Sequence, residues 1–131
     1  MIALDTNMLV RALVADHPEQ VAVVRQLIAG DSVFVSRTVL LETEWVLRAR
    51  YKKTPIELLE FFRALLETDN TVIETAEIVG NALEWYEQGA DFADALHLAA
   101  CGTAVMHTFD REFCKAARAA GIAPEVRVWE V

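Results

Sequence analysis

The stretch Gly30-Asp31-Ser32-Val33-Phe34-Val35 decides the reading of the fold, because a turn signal runs directly into β-branched and aromatic residues and the chain then changes period. Val33-Phe34-Val35 predicts a short strand, and the apolar spacing over 38–51 predicts a helix. Upstream, residues 2–4 predict an apolar strand that stops at Asp5. Helix-spaced apolar residues follow over 8–14 and 21–28, on either side of a break at His17-Pro18. Downstream, Thr54-Pro55-Ile56-Glu57 combines a capping Thr, a Pro at the first helical position and a Glu at the third, which starts a helix running to about residue 67. Residues 69–73 suit a strand and 74–87 a helix ending near Gly89. Residues 91–101 predict a helix that is apolar all round and so central, and 103–109 a buried strand. A helix over 110–120 is closed by Gly121, and 126–129 alternate as a last strand. Strands alternating with helices imply an α/β fold, a parallel β-sheet of about five strands covered by helices on both faces.

The chain has 131 residues, 54% hydrophobic and 24% charged, with no repeat and no linker, so a single domain over 1–131 is expected. Cys101 and Cys114 sit in neither a C-x-x-C pair nor a zinc spacing and are expected as reduced thiols of a cytoplasmic protein. Secretion and membrane spanning are disfavoured by the non-basic start and the shortness of the apolar runs. Twelve Lys and Arg against twenty Asp and Glu give a net charge of -8. A general polyanion-binding surface is excluded, so a nucleic-acid partner would need the negative charge concentrated and locally cancelled.

The acids fall where a parallel sheet puts its ligands, beyond the carboxyl ends of strands. Asp5 ends the first strand and Asp110 the strand over 103–109. Asp91 and Asp94 occupy the first turn of the central helix, and Glu42 lies in the apolar setting Val39-Leu40-Leu41-Glu42-Thr43. Helix capping explains Asp5, Asp91 and Asp110 taken singly, and Asp91 best of all. Asp94 and Glu42 fit that explanation worse, because an acid in an apolar stripe faces the core or a cleft. As a set the acids repel one another, and the only flanking cation is Arg111. A divalent cation held by oxygen ligands, Mg²⁺ or Mn²⁺, is the economical neutraliser.

The segments 2–10, 39–47, 90–96 and 108–113 resemble, in order, the blocks of the PIN-domain ribonucleases, and among them the VapC-type toxins of toxin–antitoxin pairs. The resemblance covers essentially the whole chain. It implies an acidic pocket for one or two Mg²⁺ or Mn²⁺ ions and cleavage of RNA by an activated water. Carried over, Asp5, Glu42, Asp94 and Asp110 match the family's four acids, Asp91 is an accessory ligand, and Thr6 and Asn7 support the first acid. On this reading Asp5, Asp91, Asp94 and Asp110 are the metal residues, and Glu42 and Asp110 orient the attacking water. His97, one turn after Asp94, is expected as a core histidine bonded to backbone.

The basic run Arg48, Arg50, Lys52 and Lys53 offers weak RNA-backbone contacts, with a solvated helix end as the alternative. Glu44 and Arg48 are spaced for a surface salt bridge and stay outside the site. The resemblance further implies a homodimer and a small cognate antitoxin. Phe61, Phe62, Leu65, Leu66, Trp45, Trp85 and Tyr86 could serve such contacts, with core packing the default. Two rivals stand beside the nuclease. A metal-dependent phosphatase lacks the second aspartate after Asp5, and a non-catalytic PIN-like binding module would not need all four acids.

Overall fold

The computed structural model describes residues 1–121 and 124–130. They form two compact units, Met1–Ala76 and Glu77–Val131, and each is described by itself.

In the first unit, β1 (Ile2–Ala3), β2 (Val33–Val35) and β3 (Thr71–Ile73) pair in parallel in the order β1-β2-β3, with Ile2 opposite Val33 and Val33 opposite Thr71. The helices between them are α1 (Thr6–Leu13), α2 (Pro18–Gly30), α3 (Arg37–Ala49) and α4 (Pro55–Glu67). Each begins at a side-chain cap: Asp5, His17, Ser36 and Thr54 accept from the backbone N–H groups of Met8, Gln20, Val39 and Glu57. These bonds satisfy donors that no helical carbonyl can reach. Thr54 and Glu57 complete the reciprocal capping box, with Pro55 at the first turn, as their spacing predicts. The break at His17-Pro18 is the start of α2. Helix α1 packs on α2 and α3, and α4 packs on α3 and β3. Leu4, Leu9, Val35, Leu40, Leu47, Leu58 and Phe62 fill the interior.

In the second unit, α5 (Ala76–Glu87) and α6 (Phe92–Ala99) precede β4 (Met106–Thr108), α7 (Lys115–Ala120) and β5 (Val126–Val128). Strands β4 and β5 pair in parallel, Met106 opposite Val126. Val79, Leu83, Trp85, Tyr86, Phe92, Ala95 and Leu98 are buried, with the Tyr86 and Phe92 rings edge to face at 5.4 Å.

Three expectations are corrected. The strands predicted as one sheet are hydrogen-bonded as a set of three and a set of two. They are only two or three residues long, and caps such as Asp5 and Ser36 turn the chain into a helix at once. The buried strand over 103–109 shrinks to Met106–Thr108. Ala104 N–H still donates to the Cys101 carbonyl at 3.0 Å, and β4 alternates half-buried and exposed residues. The helix over 110–120 starts only at Lys115. The Asp110 carboxylate first takes the Glu112 N–H at 2.9 Å, and Cys114 adopts left-handed geometry. Gly121 closes α7 at φ 72°, a conformation a side chain resists, as its place in the sequence predicts. Residues 122, 123 and 131 lie outside the described residues. Both cysteines are free thiols, and no described helix is long and apolar enough to cross a membrane.

Candidate active site

Two acids of the first unit share a cleft. Asp5 is exposed at the end of β1, where its Oδ1 accepts from Met8 N–H at 3.0 Å as the cap of α1. Glu42 rises from α3, and both residues line an open cleft of about 320 Å³ with Thr6, Asn7, Trp45 and Arg50. Thr6 is buried, Asn7 is exposed, and the backbone of Met8 is the group that holds the Asp5 carboxylate. Glu42 is exposed, so its apolar neighbours on α3 pack inward while the acid faces the cleft. A larger cleft of about 780 Å³ also reaches Asp5 and Asn7 and is lined further by Met8, Arg11 and Val23. Within it Arg11 donates to Gln20 Oε1 at 2.8 Å and to the Tyr51 hydroxyl at 3.1 Å, and pairs with Asp16. The Tyr51 hydrogen bond raises the pKa of Arg11 against a small cost of burial, with Asp16 acting in the same direction as Tyr51.

The second unit carries the other acids. Asp91 caps α6, its Oδ1 accepting from Asp94 N–H at 3.0 Å, and Asp94 lies half-buried on the first helical turn. Asp110 follows β4, where its N–H donates to Thr108 Oγ1 at 3.0 Å. Asp91, Asp94 and Asp110 line one cleft of about 640 Å³ together with Glu112 and Lys115. Lys115, on the rim of the same cleft, is drawn to Glu112 at 3.6 Å. The field of that cluster is visible in its neighbours. Asp94 is pushed above the usual carboxylate range by burial, then by the charges of Asp91 and Asp110, against an opposing pull from His97. The Cys114 thiol is pushed up to about 11 by burial and by Asp94 and Asp91, with Arg118 opposing. A thiol so disfavoured for ionisation is no nucleophile at neutral pH.

The family model of the PIN domain matches residues 2–119. The chain belongs to the PIN domain family. Nothing among curated proteins matches it. PIN domains are generally metal-dependent nucleases, so at that coarse level this one is a hydrolase built for nucleic-acid phosphodiesters.

The donors of this PIN domain suit a hard dication in chemistry: they are carboxylate oxygens, and in the second unit they repel one another. Among the described residues no group of three or more His, Cys, Asp or Glu is drawn together as a ready-made cage. Mg²⁺ keeps several waters and is held through one or two carboxylates with substrate phosphates, so a closed cage is not what it demands. Asp5 and Asp91 each spend an oxygen on capping a helix, the plain role their positions suggest, and Asp110 spends one on closing a tight turn.

Several readings of this PIN domain change. His97 is exposed rather than in the core, because α6 buries Ala95, Leu96 and Leu98 and turns residue 97 outward. The Glu44–Arg48 bridge forms at 2.8 Å, but Glu44 is 3% exposed, so it is a buried carboxylate met by an exposed guanidinium. Phe62, Trp85 and Tyr86 are core residues, whereas Trp45 is 49% exposed. In the basic run, Lys52 donates to the Ala49 carbonyl, Lys53 pairs with Glu57, and Arg50 alone of the four lines the Asp5–Glu42 cleft. Arg11, Trp45 and Lys115 were not singled out as site residues. Only the i, i+3 step from Glu42 to Trp45 offered a signal in the sequence.

Proposed function

We propose that this PIN domain is an Mg²⁺- or Mn²⁺-dependent endoribonuclease and the toxin of a VapBC-type pair. Its essential carboxylates on this reading are Asp5, Glu42, Asp94 and Asp110, with Asp91 as accessory. The observation that carries the reading is the shared cleft of Asp91, Asp94 and Asp110, in which burial and then the charges of its two neighbours hold Asp94 above its ordinary pKa against the opposing pull of His97. Negative charge left uncancelled in a cleft is costly and is kept where a bound cation uses it.

When bound, the dication supplies a water ionised at neutral pH and neutralises the phosphate oxygens. Asp5, Asp91, Asp94 and Asp110 would hold it. Asp5, Asp91 and Asp110 each keep one carboxylate oxygen beyond the one their cap or turn engages. The caps fix the rotamers of these side chains, which lowers the entropy lost on binding. Glu42 and Asp110 would orient the attacking water by accepting its protons, and no side-chain nucleophile takes part. Asn7 at the cleft rim supplies an amide able to donate to a phosphate oxygen.

The test is cleavage of single-stranded RNA by the purified chain with Mg²⁺, with Mn²⁺ and with excess chelator. Cleavage is expected with either ion and lost with chelator or in Asp94→Asn. Full-rate cleavage in chelator refutes the mechanism. The toxin role expects growth arrest on expression of the wild type and none with Asp94→Asn, relieved by a small cognate antitoxin. The expected homodimer is read from the mass in solution.

A further inference from the structure

Trp45 is the one half-exposed tryptophan on the helix that carries Glu42, and three residues put it one turn along the same face. Trp129 is exposed as well, at 53%, so what singles out Trp45 is its place beside the acids of the first unit. Its ring is not loose. The Arg50 guanidinium lies over it, 5.7 Å from the ring centroid, which steadies the indole by a cation–π contact. Trp45 and Arg50 line the same cleft as Asp5 and Glu42. An aromatic platform with a guanidinium beside it, at the edge of a phosphodiester site, has the components with which proteins hold single-stranded nucleic acid: stacking for the base and positive charge for the backbone.

We propose that Trp45 stacks a base of the RNA substrate and that Arg50 contacts the phosphate beside it. The inference rests on the nuclease reading above and adds a substrate subsite to it. RNA is favoured over a protein segment as the occupant because the platform is continuous with the acidic cleft and its fixed partner is cationic.

The experiment compares the wild type, Trp45→Ala, Trp45→Phe and Arg50→Ala with Mg²⁺ on a short single-stranded oligoribonucleotide and on an abasic ribose-phosphate chain of equal length. Affinity is read by anisotropy of the labelled strands in chelator, and KM and kcat by cleavage. Trp45→Ala is expected to weaken single-strand binding and raise KM about ten-fold, within the range of one lost stacking contact. Trp45→Phe is expected to recover most of the loss. The wild type is expected to prefer the base-bearing strand to the abasic one, and Trp45→Ala to lose that preference. Arg50→Ala is expected to weaken both strands alike. Equal affinity and KM for Trp45→Ala and wild type, or undiminished preference for bases, overturns the proposal and leaves Trp45 to a protein contact. A wild type that neither binds nor cleaves RNA fails the nuclease reading itself, an outcome distinct from loss of the subsite alone.

Discussion

On the proposed reading Asp5 serves two ends, and substitution can pull them apart. Its Oδ1 takes the Met8 N–H at 3.0 Å and caps α1, an eight-residue helix with Leu9 and Val10 buried against the core. Asp5→Ala removes the cap and should cost about 1 kcal/mol, within a range of roughly 0.5–2. For a chain of 131 residues, an unfolding entropy near 2.1 cal/mol/K per residue turns that into a Tm lower by about 4 °C. Asp5→Asn keeps an oxygen in the same place and caps about as well, giving up only a few tenths of a kcal/mol of charge–dipole attraction. Calorimetry in chelator should therefore find Asp5→Asn near the wild type and Asp5→Ala well below it. Cleavage of RNA with Mg²⁺ should be lost in both, because neither offers a carboxylate. If Asp5→Asn cleaves at the wild-type rate, Asp5 is a cap and nothing more. If it melts as low as Asp5→Ala, the assignment of the hydrogen bond is wrong.

Asp94 is raised above its unfolded value, so its stabilising contribution is complete below the unfolded pKa and is lost as pH rises through the folded one. Asp94→Asn should thus melt higher than the wild type at neutral pH in chelator, while being inactive; a lower Tm there contradicts the repulsion. Glu57 is shifted the opposite way, held down by hydrogen bonds from the Thr54 backbone and hydroxyl. Its contribution is present above the unfolded carboxylate pKa and disappears as pH falls through the folded one, so acid titration of stability should flatten in Glu57→Gln. Iodoacetamide at neutral pH should label Cys101 well before the buried Cys114, whose thiol lies near 11, and Cys114→Ser should cleave RNA normally. Leu47→Ala, at a side chain with no exposure, should cost about 2–5 kcal/mol by urea unfolding, and a loss under 1 would place Leu47 outside the packed core.

Most helices were legible because their starts are written in short-range chemistry. Thr54-Pro55-Ile56-Glu57 states a capping box in four letters, and the structure forms both of its bonds. The run from Asp110 to Cys114 misled for the same local reason. Asp followed by helix-compatible residues reads as a cap, yet Asp110 closes a tight turn and Cys114 takes a left-handed backbone that no sequence pattern announces. His97 misled through composition. An apolar helix averages over its faces, and one outward position in α6 is set by which neighbours cover the other three sides. At the candidate site the acids could be listed from their places after strands and on first turns. Which other side chains join them could not, since Arg11 reaches its cleft through Tyr51, forty positions away. The pairing of strands as three and two depends on where ladders stop, a property of tertiary geometry rather than of residue type.

The double duty of Asp5 and Asp91 has an evolutionary consequence. Aspartate and asparagine codons differ by one nucleotide, and either residue ties off the first turn of a helix. If the proposed carboxylate roles hold, a lineage carrying this architecture stands one point mutation from a folded, inert descendant at Asp5 and from a weakened one at Asp91. Inactive copies would accumulate as stable proteins free to acquire other roles, instead of being cleared as misfolded ones.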